Sequence, residues 1–360
     1  MFVTKPGTLF LARVERSLLF LDRGVEEALQ ATRKKRNPTS RKFSQLITSR
    51  QLRALIAIFK TENFGLAAKL AGISQPSLRR AARDLELLLD ITLFEIISGG
   101  VQLTKPGRHL VKNVKLSQAE LDQGFVEIAE HKGIDVSNIV IGALPLVRTF
   151  VLPHAIIQFA KLRPNVQISI IDGPYEGLLH SLRHGEIDIL IGALRDPLPV
   201  EDVEQESLFV DRLVIAARKD HPLAGKRDIT LDDLTRYPWV VPSMGTPTRQ
   251  HFEKLMSSSQ CKPRPVETSS LVLGLGLLLQ SDRLSLISGH QIRHEVDLNL
   301  LTVLPIKVND TDRQIGLTLR NDWGPTKSQR IFLDVLRESG QAITDITDTQ
   351  SKIFKLHSVG

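Results

Sequence analysis

The stretch VTKPGTLFLARVERSLLFLDRGVEE at residues 3–27 recurs as LTKPGRHLVKNVKLSQAELDQGFVE at residues 103–127. Ten of the 25 aligned positions are identical without a gap: Thr4, Lys5, Pro6, Gly7, Val14, Ser17, Leu21, Asp22, Gly24 and Glu27 each match the residue one hundred places on. Whatever this chain folds into must therefore hold two versions of one element. The second version lies in a helical pattern running from about Pro106 to His131, so the first, Leu9 to Leu29, is expected to be an amphipathic helix as well.

A chain of 360 residues, 42% apolar, is long enough for two or three domains with a sizeable core. No apolar run reaches the roughly 18–20 residues of a membrane span, and TLFLARVERSLLFLD is interrupted by Arg13, Glu15 and Arg16. Neither a signal peptide nor a membrane anchor is expected. The single cysteine, Cys261, cannot form an internal disulfide, which suits a reducing cytoplasm.

Charge is unevenly placed. Residues 1–110 carry 19 Lys and Arg against 9 Asp and Glu, whereas the other 250 carry 28 against 31. One end is thus suited to a polyanion, although charge alone fits a solvated basic surface equally well.

The basic third has a definite helical pattern. From Thr48, Leu52, Leu55, Ile56 and Phe59 form one stripe, with Ser49 able to cap the start. In FGLAAKLAG a second helix turns Leu66, Ala67 and Leu70 inward, and Gly72 makes the turn. Ser74 then caps a third helix with Pro76 in its first turn. On a helical wheel Leu78, Ala81, Ala82 and Leu85 gather on one side, while Pro76, Arg79, Arg80 and Arg83 lie opposite. That is a helix-turn-helix whose last helix is apolar inside and arginine-rich outside, a shape fit for the DNA major groove.

Two short β-like runs around Gly99 and Gly100, with Val101 and Leu103 alternating with polar neighbours, predict a hairpin wing. In the following helix, positions 110, 114, 117, 121, 124 and 128 step by four and three, giving a seam of Leu, Val, Ser, Leu, Gly and Ile. Ser117 and Gly124 would let a partner helix come close. Such a helix is expected to dimerise the protein and so to present two recognition helices.

The segment RQLRALIAIFKTENFGLAAKLAGISQPSLRRAARDLELLLDITLFE, with the LTKPG that follows, resembles the winged helix of LysR-type transcriptional regulators, and the resemblance runs on to about residue 340. It implies that Gln75, Pro76, Arg79 and Arg80 touch DNA, within a recognition set of Ser74, Gln75, Pro76, Ser77, Arg79, Arg80 and Arg83. The family usually has Ser where Arg79 stands, so this chain can add a phosphate or guanine contact. It usually has Arg where Ile96 stands, which implies a weaker minor-groove grip by the wing. Against that pattern, residues 3–30 read as the end of a wing and a linker helix from a duplicated module whose recognition part is absent, either shortened or cut off by a late start. This helix is expected to pack along a linker-helix dimer, with RKKRNPTSRK as a basic connector able to touch phosphates.

After Asn138 the pattern changes. NIVIGAL, VQISIIDG and IDILIGAL read as strands, separated by helices in VRTFVLPHAIIQFAKLRP and YEGLLHSLRHG, which predicts a parallel α/β sheet with ligands at the strand ends. RLVIAAR, YPWVVP, a helix near Thr246 and RLSLIS form a second unit, before a return through RQIGLTLR and a closing helix, Ser328 to Glu338. This clamshell resembles the type 2 periplasmic-binding-protein fold of LysR-type sensor domains. The regions that would line its cleft supply Leu146, Arg148, Thr149, Arg195, Ser243, Thr246, Thr248, Thr268, Ser269 and Ser270. Each Ser or Thr also reads as a helix cap. Arg148 and Arg195 suit a carboxylate or phosphate, and the hydroxyls suit a sugar acid. IGALPLVRT and SSLVLGLGLLLQSDRLSLIS are most similar to the branch named for regulating a galactose-binding protein, which implies a sugar or sugar-derived acid, with aromatic-acid regulators as the neighbouring branch.

An α/β enzyme is the rival class. LGLGLLL lacks the third glycine and preceding strand of a dinucleotide site, and no phosphate-binding G-x-x-x-x-G-K-[ST] loop occurs. His180 and His184 share a helical face without a third metal ligand and read as a solvated pair. A secreted solute-binding protein would need a secretion signal and no helix-turn-helix. The expected organisation is an α/β protein: a remnant at 1–40, a winged helix-turn-helix at 46–105, a linker helix at 106–132, an effector domain at 137–340 and a tail at 341–360. Within the effector domain, lobe I is expected at about 137–207 and 311–338 and lobe II at about 208–310. Expected partners are double-stranded DNA, a small-molecule effector, further copies making a homodimer or homotetramer through linker helices, and RNA polymerase. No catalytic residue, cofactor, metal or membrane is expected.

Overall fold

The structure, a computed structural model, describes residues 3–34, 42–134, 136–257, 265–306 and 308–357, with side chains to residue 343. Cys261 and most of the basic connector lie outside the described residues.

Helix α1 (Lys5–Ala31) starts at Thr4, whose Oγ1 accepts the Gly7 N–H, with Pro6 in the first turn. A short α2 (Phe43–Leu46) precedes α3 (Ser49–Thr61). The cap of α3 is Thr48 rather than Ser49. Its hydroxyl accepts the Gln51 N–H while the Gln51 side chain accepts the Thr48 N–H, a reciprocal box that a serine one place on cannot form. Helix α4 (Phe64–Ala71) is capped by Asn63 and ends at Gly72, whose φ of +67° is the left-handed geometry glycine tolerates. Its inward face is Ala67 and Ala68; Leu66 and Leu70, expected inside, are 53% and 58% exposed. The helix is too short to bury a wide stripe, so the alanines that permit close approach take the core side. Then come α5 (Gln75–Leu89), the wing strands β1 (Phe94–Ile97) and β2 (Gly100–Leu103), paired antiparallel, and the long α6 (Lys105–His131).

One apolar core joins all of these. Leu55, Ile58, Leu78, Leu85, Val101, Leu110 and Val114 pack with Leu21, Val25, Ala28 and Leu29 of α1. The N-terminal helix is therefore part of this core, running along α6 of its own chain, where a second copy's linker helix was expected.

The remainder is a two-lobed α/β unit. Its first lobe contains β3 (Asn138–Ala143), a 3-10 turn at Pro145–Arg148, α7 (Val151–Leu162), β4 (Gln167–Ile171), α8 (Tyr175–Arg183) and β5 (Ile189–Ala193). Strand β6 (Val203–Arg218) leads into the second lobe, which holds α9 (Leu231–Thr235), β7 (Trp239–Val241), α10 (Pro247–Met256), β8 (Val266–Glu267), α11 (Leu271–Gln280), β9 (Leu284–Ser288), α12 (Arg293–Asp297) and β10 (Leu301–Val303). The chain returns through β11 (Asp312–Arg320) and closes with α13 (Lys327–His357), longer than the sequence pattern indicated.

The strand order is β4-β3-β5-β11-β6-β9-β7-β8, with β10 on the side of β6. Strands β3, β4 and β5 run parallel, but β11 and β6 are antiparallel to their neighbours, so the sheet is mixed rather than parallel. The reason lies in β6. Residues 203–212 pair with β11, and residues 213–218 pair with β9 and β10, so one strand serves both lobes and the return strand runs against it. Separate apolar cores, one around Phe159, Ile191 and Phe332 and one around Trp239, Leu286 and Phe252, sit on either side.

The first lobe docks on the N-terminal part. Lys112 Nζ lies 2.5 Å from Asp202, which Arg183 also engages at 2.7 Å, and Lys115 pairs with Glu186. Phe59 of α3 stacks on the His184 ring, which stacks in turn on His180 at 3.9 Å between centroids. Of the expected solvated pair, His180 is exposed, whereas His184 is buried in the joint, and burial pushes its pKa down to about 4.

Candidate DNA-binding face and effector cleft

Ser74 sets the start of α5, its Oγ accepting the Ser77 N–H at 3.3 Å. Leu78, Ala81, Ala82, Leu85 and Leu89 are buried, which fixes the helix's rotation, and Gln75, Pro76, Arg79, Arg80 and Arg83 are consequently exposed. Among the described residues none of the three arginines is held in an ion pair with a carboxylate. Arg79 instead lies over the Phe64 ring at 4.2 Å, which directs it without neutralising it. A basic recess of about 500 Å³ opens between α3 and α5, lined by Thr48, Arg50, Gln51, Arg53, Ser77 and Arg80.

The wing is tied to this helix by a residue that the wheel did not single out. Glu86 Oε1 accepts the backbone N–H groups of Leu93 and Phe94 at 2.8 and 3.2 Å. Gly100 meets α3 so closely that a Cβ there would lie 2.3 Å from the Glu62 carbonyl. Ile96, on the outer wing strand, is 80% exposed and carries no charge to the surface. The sequence signal for Glu86 was available: it is the one acidic residue in an otherwise arginine-rich or apolar helix apart from Asp84.

The cleft residues are placed at strand ends, in varied circumstances. After β3, Leu146 is buried in the 3-10 turn, and Thr149 turns its hydroxyl back to the Leu146 carbonyl at 3.1 Å. Thr149 is therefore not a cap of α7, which begins after Phe150 without a side-chain cap. Arg148 pairs with Asp172 beyond β4 at 2.6 Å, so an anion arriving there must compete with that carboxylate. Arg195, beyond β5, lies over the Tyr175 ring at 4.3 Å.

In the second lobe Thr246 caps α10, with Ser243 accepting the Thr246 hydroxyl on its carbonyl at 2.9 Å. Ser270 caps α11, Thr268 accepts the Ser270 N–H at 3.0 Å, and Ser269 is exposed. Thr248 accepts from Arg313 at 2.7 Å.

That last contact exposes a cluster missed in the sequence. Arg313 on β11 is paired with Asp211 on β6, which is fully buried and accepts from the Ser288 hydroxyl at the end of β9. The Ser288 Oγ accepts the His290 N–H at 3.1 Å, and the His290 ring meets Phe209 edge-on. The cluster sits where β6 passes between lobes. Arg293 of the second lobe lies over the Phe150 ring of the first at 5.5 Å. No motif marks these residues, because their neighbourhood is made by strands a hundred positions apart in sequence.

Among the described residues there is no group of three or more His, Cys, Asp or Glu arranged to hold a metal ion, and no helix long and apolar enough to cross a membrane.

A winged helix-turn-helix carrying exposed arginines, fused to a two-lobed α/β unit, defines a DNA-binding regulator with its own small-molecule domain. Residues 49–108 match the bacterial regulatory helix-turn-helix family of the LysR type, and residues 135–341 match the LysR substrate binding domain. The chain is 31% identical over 323 residues to the HTH-type transcriptional regulator GalR of Pseudomonas putida, covering 89% of this chain and 79% of that one. It is 25% identical to the regulator PcaQ of Agrobacterium fabrum over 84% of this chain and 97% of that one. Among solved structures, a full-length OxyR variant from Pseudomonas aeruginosa superposes with a TM-score of 0.59 at 24% identity, over 81% of this chain and 97% of that one. CbnR, solved with its target DNA, superposes with a TM-score of 0.55 at 19% identity, over 81% of this chain and all of that one. The chain belongs to the LysR family of transcriptional regulators, and its α/β unit is the family's substrate-binding domain.

Proposed function

We propose that α5 enters the major groove and that a small molecule held between the two lobes alters how the protein engages its promoter. The observation that carries the DNA reading is the exposed arc of Arg79, Arg80 and Arg83, none of them in an ion pair among the described residues, on a helix whose rotation is fixed by a capped start and a buried opposite face. Gln75, with Ser74, Pro76 and Ser77 at the helix start, would meet base edges and phosphates first, and Arg50 and Arg53 extend the basic surface beside Arg80. Binding would be cytoplasmic, at the chromosome. It is tested by competition of labelled promoter DNA against random duplex at moderate salt. Equal affinity for both, with and without small molecules, would sink the reading.

The effector is read as a sugar or sugar-derived acid. Hydroxyl-bearing residues at the starts of α10 and α11 in the second lobe, together with Arg148 and Arg195 of the first, support a ligand carrying both hydroxyls and an anionic group. The second reading is an aromatic acid, favoured by the similarity to PcaQ and the Arg195–Tyr175 pair. Thermal shift of the full chain against sugars, sugar acids and aromatic acids separates the two. Arg148→Ala is expected to abolish the shift and leave promoter affinity unchanged. A normal response in that variant would put the ligand elsewhere.

A further inference from the structure

The seam of α6 is filled from within the chain, and the filling obeys the repeat. Helices α1 and α6 run antiparallel, and at the centre the hydroxyls of Ser17 and Ser117, equivalent positions of the two copies, lie 2.7 Å apart. The contacts on either side are related by a twofold. A Cβ on Gly24 would fall 2.7 Å from Asn113 and 3.4 Å from Leu110; a Cβ on Gly124 would fall 3.2 Å from Arg13 and 2.8 Å from Phe10. Each of those residues is one hundred from its counterpart. Likewise Asn113 donates to Glu27 at 2.9 Å, and Arg13 donates to Glu127 at 2.6 Å. This is the geometry of two equal helices paired across a dyad, built from one polypeptide.

The two copies are not equal in charge, and the inequality selects the pairing. Glu120 of α6 is buried, and its carboxylate is met by Arg13 at 2.8 Å and by Arg16 at 2.8 and 2.9 Å, with Arg13 also reaching Gln123 and Glu127. In α6 the positions equivalent to those arginines hold Asn113 and Leu116. Two α6 helices joined in the same way would bury two Glu120 carboxylates with no cation for either, an arrangement that is strongly unfavourable. In two α1 helices Arg13 would keep a carboxylate, Glu27 in place of its counterpart Glu127, but would meet Phe20 in place of Glu120. Only the mixed pair supplies Glu120 with buried counterions and Arg13 with both of its glutamates. Arg16 and Arg23 further bind Asp322, at the end of β11, so α1 is also anchored to the substrate-binding domain.

We propose that α1 is an in-chain stand-in for a second linker helix, closing the dimerisation seam of α6 against other copies and against linker helices of homologous regulators. Each copy then carries its own half of what would otherwise be a dimer interface and offers one recognition helix per closed seam. Copies that assemble do so through other surfaces. This inference goes beyond the DNA and effector reading and does not depend on it, because its test is made without DNA or small molecules.

The test uses the full chain with Cys261→Ser, so that introduced thiols are the only ones. With Ser17→Cys and Ser117→Cys together, mild oxidation is expected to consume both thiols while the chain still migrates as a single copy under non-reducing denaturing conditions. With Ser117→Cys alone, the thiol is expected to stay free and no covalent dimer to form. A covalent dimer from Ser117→Cys alone would show α6 paired with α6. A dimer from the double variant would show α1 exchanged between copies, and two persistently free thiols would show α1 unseated. Any of these three overturns the proposal. Amide hydrogen exchange of the unaltered Ser17 and Ser117 chain provides a second reading: α1 is expected to be protected at least ten-fold over its free-peptide rate, and unprotected amides there would refute a closed seam.

Discussion

Arginines occur in dense sets in two helices of this chain, and the two sets behave in opposite ways. On α5, Arg79, Arg80 and Arg83 are exposed and, among the described residues, in no ion pair, so their charge is available to a polyanion. On α1, Arg13 is nearly excluded from solvent and saturated by Glu120, Glu127 and Gln123. Burial opposes its charge, yet the hydrogen bonds it donates to Glu127 and Glu120, with the attraction of those carboxylates, outweigh that and hold its pKa above the usual value. The same residue type therefore recruits a partner molecule in one place and cements the fold in the other. Net charge along a sequence reports on function only after burial has been assigned.

The sharpest way to break that contrast is Arg13→Ala. It leaves a buried Glu120 with only the half-exposed Arg16, and such a loss typically costs about 3–5 kcal/mol, here toward the lower end because Arg16 remains. Chemical denaturation should show it, with promoter affinity of the folded fraction unchanged. A loss below about 1 kcal/mol would mean that the α1–α6 pairing contributes little.

The next effect comes from pH. His184, whose pKa falls from the usual 6.5 to about 4 on burial, is neutral in the joint between α8 and α3. Its contribution is complete above pH 6.5 and declines as pH falls toward 4, by about 3 kcal/mol at most. His180, Lys115 and Glu186 face it and are common to both proteins in the comparison with His184→Phe. The wild-type Tm should fall faster than that of the variant between pH 6.5 and 4; parallel curves would place the titration elsewhere.

On the exposed side of the contrast, Arg80→Ala should weaken promoter binding by about 1–3 kcal/mol while changing stability by less than about 0.5 kcal/mol. Unchanged affinity would remove Arg80 from the groove. The smallest expected change is a gain: Ile96→Arg restores a cation to the wing, and the log–log salt dependence of binding should steepen by about one charge. An unaltered slope would mean that the wing does not reach the DNA.

The DNA-binding half was legible because its signals are local. Ser74, Pro76 and the alternation of Leu78, Ala81, Ala82 and Leu85 with Arg79, Arg80 and Arg83 lie within a dozen residues, and a helix presents such a pattern on one turn-by-turn surface. The same reading misplaced Leu66 and Leu70, since in an eight-residue helix either side can be taken as the inner one until neighbours are known. The residues expected to line the effector cleft were legible only as strand ends and helix starts. That Arg148 is engaged by Asp172, and that Arg313, Asp211 and Ser288 form a buried cluster between the lobes, depends on strands brought together by β6 and β11.

The sequence by itself determined the helix-turn-helix, its cap and arginine arc, the wing, the order of strands and helices beyond Asn138, and the fact that one helical phrase occurs twice. Each of these is written in short-range periodicity, where backbone geometry converts spacing into a face. Only the tertiary structure decided that the second phrase lies against the first, with Ser17 facing Ser117 and Glu120 neutralised from one hundred residues away. The physical reason is that a buried charge is tolerated only where its counterion is also buried, and which two segments share one dry interface is a property of packing that no local pattern carries.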